Sequence, residues 1–159
     1  MPKLSAGLLL YKEPQAGEVQ VFLVHPGGPL WKNKDSHAWS IPKGEYLEGE
    51  DAEKQAEREF SEELGIAVPT GPRVDLGSVK QSGGKLVRAW AIKVTDLVLD
   101  TVRSNTFEME WPPKSGRRTI FPEVDRAEWM TISEARGRIV KAQVDLLEHL
   151  LEILSHPRT

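Results

Sequence analysis

Between positions 50 and 63 the chain carries seven carboxylates (Glu50, Asp51, Glu53, Glu57, Glu59, Glu62 and Glu63) against two cations, Lys54 and Arg58. That stretch sums to −5 and the other 145 residues to +2, so the net charge of −3 is made in one place. Residues 50–64 contain no Gly or Pro and are rich in Ala, Glu, Lys, Gln and Arg, a composition that predicts a helix, with Gly65 as its C-terminal cap. At about 100° per residue, with Ala52 at zero, Ala56 falls near 40°, Phe60 near 80° and Leu64 near 120°. On the same scale Glu62, Glu59 and Glu63 fall near −80°, −20° and +20°. Glu59 and Glu63 thus intrude on the edge of the apolar stripe. Three carboxylates share an arc of about 100° beside the predicted core, where i, i+3 and i+4 neighbours meet.

Like charges this close repel, and the cost rises near the core. A divalent cation removes that cost. Oxygen ligands, with no cysteine and no obvious histidine pair, suit Mg²⁺ or Mn²⁺ better than Zn²⁺. The spacing alone also fits a plainer arrangement, a solvated acidic face braced by i, i+4 pairs.

The surrounding residues add a pattern. Gly44 stands six positions before Glu50, and eight positions later the chain runs Arg58-Glu59-Phe60-Ser61-Glu62-Glu63-Leu64-Gly65-Ile66. This resembles the signature of the Nudix hydrolases, with all nine fixed positions met over 23 residues. The resemblance implies an α/β fold, an α/β/α sandwich around a mixed sheet, in which the signature forms loop–helix–loop. It implies hydrolysis of a nucleoside diphosphate linked to another group, X. By the same resemblance Glu59, Glu62 and Glu63 are metal ligands, joined by the backbone carbonyl of Gly44. Arg58 orients the neighbouring glutamate and Glu50 supports Arg58. The chemistry is consistent, because a bare acidic site would repel a pyrophosphate, whereas Mg²⁺ inverts the local field and activates a water. A carboxylate then takes the water proton. Glu59 is the first choice for that base, followed by Glu62 and Glu123.

More loosely, most of the chain is similar to the small diadenosine-polyphosphate branch of the family and to related bacterial proteins predicted to be nucleoside-triphosphate pyrophosphohydrolases. Ala6-Gly7-Leu8, Phe22-Leu23-Val24 and Trp39-Ser40-Ile41-Pro42-Lys43-Gly44 carry that likeness, as does Glu123, six residues before Trp129. In that branch a glutamate so placed serves as an extra metal ligand or base, contributed from a loop. Lys43 is a candidate phosphate contact. Lys80, Lys85 and Arg88 are candidates for a basic rim, although such residues also serve as surface solubilisers. Trp31, Tyr46 and Trp111 fall in predicted loops, where a base could stack on them. Trp39 and Trp90 fall in predicted strands and read as core. His25 and His37 lie near the mouth by sequence, but no Gly-x-Ser-x-Gly elbow supports a nucleophilic triad. Residues 107–118 have no clear counterpart in the dinucleotide branch and read as part of the substrate pocket. The isopentenyl-diphosphate isomerase members of the family need a cysteine, which this chain lacks. A dinucleotide hydrolase is the leading reading. A pool-cleansing triphosphate pyrophosphohydrolase is the alternative, and a non-catalytic nucleotide-binding module is the alternative of another class.

The elements that must hold these residues can be read around them. Residues 6–11 and 19–25 predict strands separated by a turn with Pro14 and Gly17. Residues 26–37, with Gly27, Gly28 and Pro29, predict a loop, and residues 39–41 a short strand stopped by Pro42. Residues 77–81 and 85–94 predict strands around a Ser82-Gly83-Gly84 turn, and residues 128–132 a last strand. Residues 97–119 are ambiguous, with Trp111-Pro112-Pro113 favouring loop. A helical C-terminus is expected from Ser133, with Gly137 able to split it. Val144, Leu147, Leu151 and Leu154 recur there at helical spacing, facing the sheet or a second subunit.

At 159 residues the chain is expected to form one domain over residues 1–159. It has no signal-like N-terminus, no spanning run, no cysteine for disulfides and no basic excess for duplex nucleic acid. A cytoplasmic monomer or homodimer acting on a small nucleotide is the expectation.

Overall fold

The computed structural model describes residues 3–95 and 104–155. The chain order is β1 (Leu4–Lys12), β2 (Gln20–Pro26), β3 (Lys43–Tyr46), α1 (Ala52–Leu64), β4 (Arg73–Gln81), β5 (Lys85–Lys93), β6 (Thr106–Glu110), β7 (Arg118–Pro122), β8 (Val124–Thr131), α2 (Ile132–Arg138) and α3 (Val144–Ser155). Short 3-10 turns at Ser82–Gly84 and Lys141–Gln143 join β4 to β5 and lead into α3. The main sheet runs β4-β5-β1-β2-β8. β1 is parallel to β5 and antiparallel to β2 and β3, so the sheet is mixed.

β1 explains the layering, because alternate side chains of a strand point to opposite faces. Leu8 and Leu10 pack with Ala56, Phe60 and Leu64 of α1, along with Phe22, Trp90 and Ile92. Leu9 and Tyr11 pack with Leu146, Leu147 and Leu150 of α3, along with Leu23, Val87 and Ala89. α1 covers one face of the sheet and α2 with α3 the other, which is the expected α/β/α sandwich. Burying a side chain such as Phe60 or Leu64 contributes roughly 1.5–3 kcal/mol. The apolar stripe of α3 therefore faces its own sheet.

Several expectations are corrected. Residues 39–41 form isolated bridges rather than a strand: Ser40 pairs with Val24 and Trp39 with Ile139. The strand comes just after, as β3, whose polar Lys-Gly-Glu-Tyr sequence has no strand periodicity. It forms because the first half of β1 needs a partner for its backbone, and Leu4–Gly7 pair with Tyr46–Lys43. Tyr46 is thus a strand residue, packed against the α1-side core, and not a loop residue. Residues 106–122 form a separate hairpin of β6 and β7, with Trp111 at its turn. Residues 97–103 of the ambiguous stretch lie outside the described residues. α2 starts one residue before Ser133. Thr131 and Glu134 make a reciprocal capping box, and Gly137 lies inside the helix.

Candidate active site

Local sequence sets α1 in place. The Asp51 carboxylate accepts from the backbone N–H groups of Glu53 and Lys54, a cap of about 1 kcal/mol. Gly65 ends the helix in a left-handed conformation at φ 73°. With Ala56, Phe60 and Leu64 buried, the neighbouring positions 59 and 63 are carried to the edge of the core. There Glu59 meets β3. A Cβ at Gly44 would lie 2.0 Å from the Glu59 carboxyl carbon, so only glycine lets the carboxylate rest on this backbone.

The inner carboxylates find little compensation. Arg58 reaches Glu59 at 3.4 Å and Glu62 at 3.8 Å, serving both. Burial and the Glu62 charge raise the Glu59 pKa, although Arg58 opposes them. Glu63 is buried deeper, and its Oε2 has no hydrogen-bond partner. Burial pushes its pKa up to about 8; Glu59 and Glu123 push it the same way, and Lys43 opposes them. Lys43 has its own pKa lowered by burial and by Lys85. Lys43, Glu63 and Glu123 line one cleft of about 240 Å³, with Trp31, Gln81 and Gln143 on its walls. Glu123 sits between β7 and β8, held by its N–H donating to the Asn105 carbonyl at 2.9 Å. Asn105 N–H in turn donates to the Glu62 carbonyl at 3.0 Å. The fold thus ties a residue 60 positions away in sequence to the end of α1.

The remaining expected site residues lie elsewhere or have other partners. Glu50 does not pair with Arg58; its carboxylate accepts from Leu47 N–H at 2.7 Å and from the Gln55 amide at 3.1 Å. Glu50, Tyr46 and Arg58 line a different cleft, beside the 45–50 loop. Lys85 reaches Glu45 at 3.8 Å. Arg88 is bound to Asp75 at 2.8 Å and stacks on Trp90. Lys80 is exposed on β4. Trp111 N–H donates to the Arg117 carbonyl and the Trp111 carbonyl accepts from the Thr119 hydroxyl, at the far end of the hairpin from Glu123.

Two structural residues escaped sequence reasoning. Gln143 is fully buried; its side-chain carbonyl accepts from Ile41 N–H at 3.1 Å and its amide donates to the Ser40 hydroxyl at 3.0 Å. It steadies the segment leading to Lys43 and Gly44. A lone glutamine gives no sequence signal for that role. His25, placed near the mouth by sequence, is instead fully buried. Its ring nitrogens bond Asp125 at 2.8 Å and the Lys34 carbonyl at 2.6 Å, pinning the 27–38 loop.

Among the described residues, no three acidic or histidine side chains stand together in a ready-made ion cage. The donor set still fits a hard divalent cation. It consists of carboxylate oxygens, one buried without a partner, on a backbone that only glycine permits. Without a cation the carboxylates repel, and Arg58 takes up two of them.

A model of the NUDIX domain matches residues 1–150. The chain belongs to the Nudix family. Family members are pyrophosphohydrolases that generally use divalent metals, and this Nudix protein is an enzyme of that class. Its fold is similar to that of a C. elegans Ap4A hydrolase in a binary complex, at 22% identity over 95% of this chain and 98% of the other, TM-score 0.65. It is also similar to the NUDIX domain of Shewanella oneidensis NrtR complexed with ADP ribose, at 14% identity over 97% and 89%, TM-score 0.64. A third similar structure is the M. smegmatis Nudix hydrolase RenU, at 18% identity over 98% and 88%, TM-score 0.58. No curated protein matches this Nudix chain in sequence. Among the described residues no helix is long and apolar enough to cross a membrane.

Proposed function

We propose that this protein hydrolyses a phosphoanhydride bond in a nucleoside diphosphate linked to a further group X, with bound Mg²⁺ or Mn²⁺. Its first-choice substrate is a dinucleoside polyphosphate of the diadenosine type. The observation that carries the reading is Glu63. A carboxylate with a partnerless buried oxygen, between Lys43 and Glu123 in one cleft, is costly unless a cation and an anionic substrate complete it.

Glu59, Glu62, Glu63 and the Gly44 carbonyl are the oxygen ligands of the metal site, and Glu123 is a further ligand or the base. When bound, the cation supplies the positive charge that screens the phosphates and activates a water. Glu59 takes the water proton. The water oxygen bonds to phosphorus, the bridging P–O bond breaks, and its electron pair leaves on the departing phosphate. Arg58 positions Glu59 and Glu62. Lys43 faces the phosphate chain from the same cleft. The dinucleotide choice is supported by the sequence resemblance and by a fold shared with an Ap4A hydrolase. We read residues 1–159 as one domain acting in the cytoplasm as a monomer or homodimer.

Product analysis with Mg²⁺ tests this, comparing diadenosine tetraphosphate, a panel of nucleoside triphosphates and ADP-ribose. ATP plus AMP from the dinucleotide is the expected result. Monophosphate plus pyrophosphate from a triphosphate would instead make it a pool-cleansing enzyme. Silence with both Mg²⁺ and Mn²⁺ would leave only a binding module.

A further inference from the structure

A second cleft, of about 270 Å³, opens between the loop after β2 and the β6–β7 hairpin. Gly28, Leu30, Trp31, Phe107 and Met109 line it, and Glu123 is its one charged residue. It shares Pro26, Trp31 and Glu123 with the cleft that holds Lys43 and Glu63. The two spaces therefore meet at Glu123 and differ in character. One has a lysine and two glutamines, and the other offers an apolar wall with no cation.

The second cleft is built in advance. Gly27 N–H donates to the Glu123 carbonyl at 2.9 Å, and Glu123 N–H to Asn105 at 2.9 Å, joining loop and hairpin at their bases. The approach leaves no room for side chains. A Cβ at Gly27 would lie 2.0 Å from the Pro122 carbonyl oxygen, and one at Gly28 would lie 2.8 Å from the Phe107 ring. The rings of Phe107 and Phe121 stand 6.0 Å apart and stiffen the hairpin. Yet Leu30 is left 58% exposed and Trp31 38% exposed, two of the four large hydrophobic residues so exposed among the described residues. A rigid apolar surface that stays open beside a polar cleft is suited to an uncharged group attached to what the polar cleft holds.

On the hydrolase reading above, we infer that this cleft binds group X, the part of the substrate beyond the phosphate chain, as a flat or apolar uncharged moiety. Leu30, Trp31, Phe107 and Met109 set the preference for it. With no amide or paired donors on the lining, selection is by shape and stacking and tolerates different bases. Among the described residues, no cationic side chain lines the cleft to hold a further phosphate group.

The test is steady-state hydrolysis of diadenosine tetraphosphate and of ATP with Mg²⁺ by wild type, Leu30→Ser and Phe107→Ala. Leu30 is exposed, so its change leaves folding intact, and it backs up Phe107→Ala in case the hairpin loosens. For each variant the ratio of dinucleotide to ATP kcat/KM is expected to fall about tenfold, mostly through KM. A ratio unmoved in both variants overturns the inference, as does an equal loss on both substrates. Wild-type turnover of ATP with none of the dinucleotide also overturns it, while leaving the hydrolase reading in place. Silence on both substrates sinks that reading and the inference together.

Discussion

On the outer side of α1, Glu53 and Glu57 both close on the guanidinium of Arg73, and, against the lowering effect of burial, the hydrogen bonds that Arg73 donates to these carboxylates raise its pKa. On the inner side, Glu59 and Glu62 divide one half-exposed arginine, and a Glu63 oxygen has no partner at all. The residue type, the helix and the local backbone are the same. The difference is the supply of cations: Arg73 closes on both outer acids, whereas Arg58 is shared between Glu59 and Glu62 and Lys43 offsets only part of the burial of Glu63. Structural acids are neutralised by the protein itself. On the proposed function, the acids left short beside the cleft are the ones that a cation from outside completes.

The sharpest way to break this contrast is to neutralise the inner side. Glu59→Gln or Glu63→Gln is expected to lower kcat by roughly 10²–10⁴ with the far-ultraviolet dichroism and cooperative melting kept. Wild-type rates in both variants would dismantle the site assignment. The next largest effect is expected from Gly44→Ala. The added methyl must displace the Glu59 carboxylate, the end of a flexible side chain, so activity should drop steeply while stability changes little. An alanine variant with normal kcat would show that Glu59 does not need that backbone.

The pH dependence of the metal-free protein offers a finer test. The folded chain holds the Glu63 proton up to about pH 8, against an ordinary value of 4.5. Folding therefore binds a proton across that window. The stability present below about pH 4.5 is lost as pH rises towards 8. Melting curves from pH 5 to 8 should show a falling Tm that Glu63→Gln flattens. Added Mg²⁺ should raise Tm more at pH 8 than at pH 6. A metal shift independent of pH would remove Glu63 from the ligand set. The smallest effect belongs to the outer side. Arg73→Ala should cost about 1 kcal/mol or less and leave kcat/KM within twofold. A large activity loss there would erase the distinction between the two sides.

Much of this was legible without coordinates. The stripe of Ala56, Phe60 and Leu64, and the intrusion of Glu59 and Glu63 on its edge, follow from helical periodicity, and the structure has both. β3 was not legible, because its existence depends on the empty half of β1 and not on its own polar residues. Nor was the burial of His25, or the support that Gln143 gives to Ile41 across 102 residues.

The family, the helix and the spacing of its carboxylates are set by local residues, because helix geometry repeats over three or four residues. Which acid meets which cation, how Glu123 reaches the end of α1, and the second cleft between a hairpin and a glycine loop all depend on long-range packing. Those arrangements join segments far apart in the chain. They are set by how sheet and helices pack, which no local pattern records.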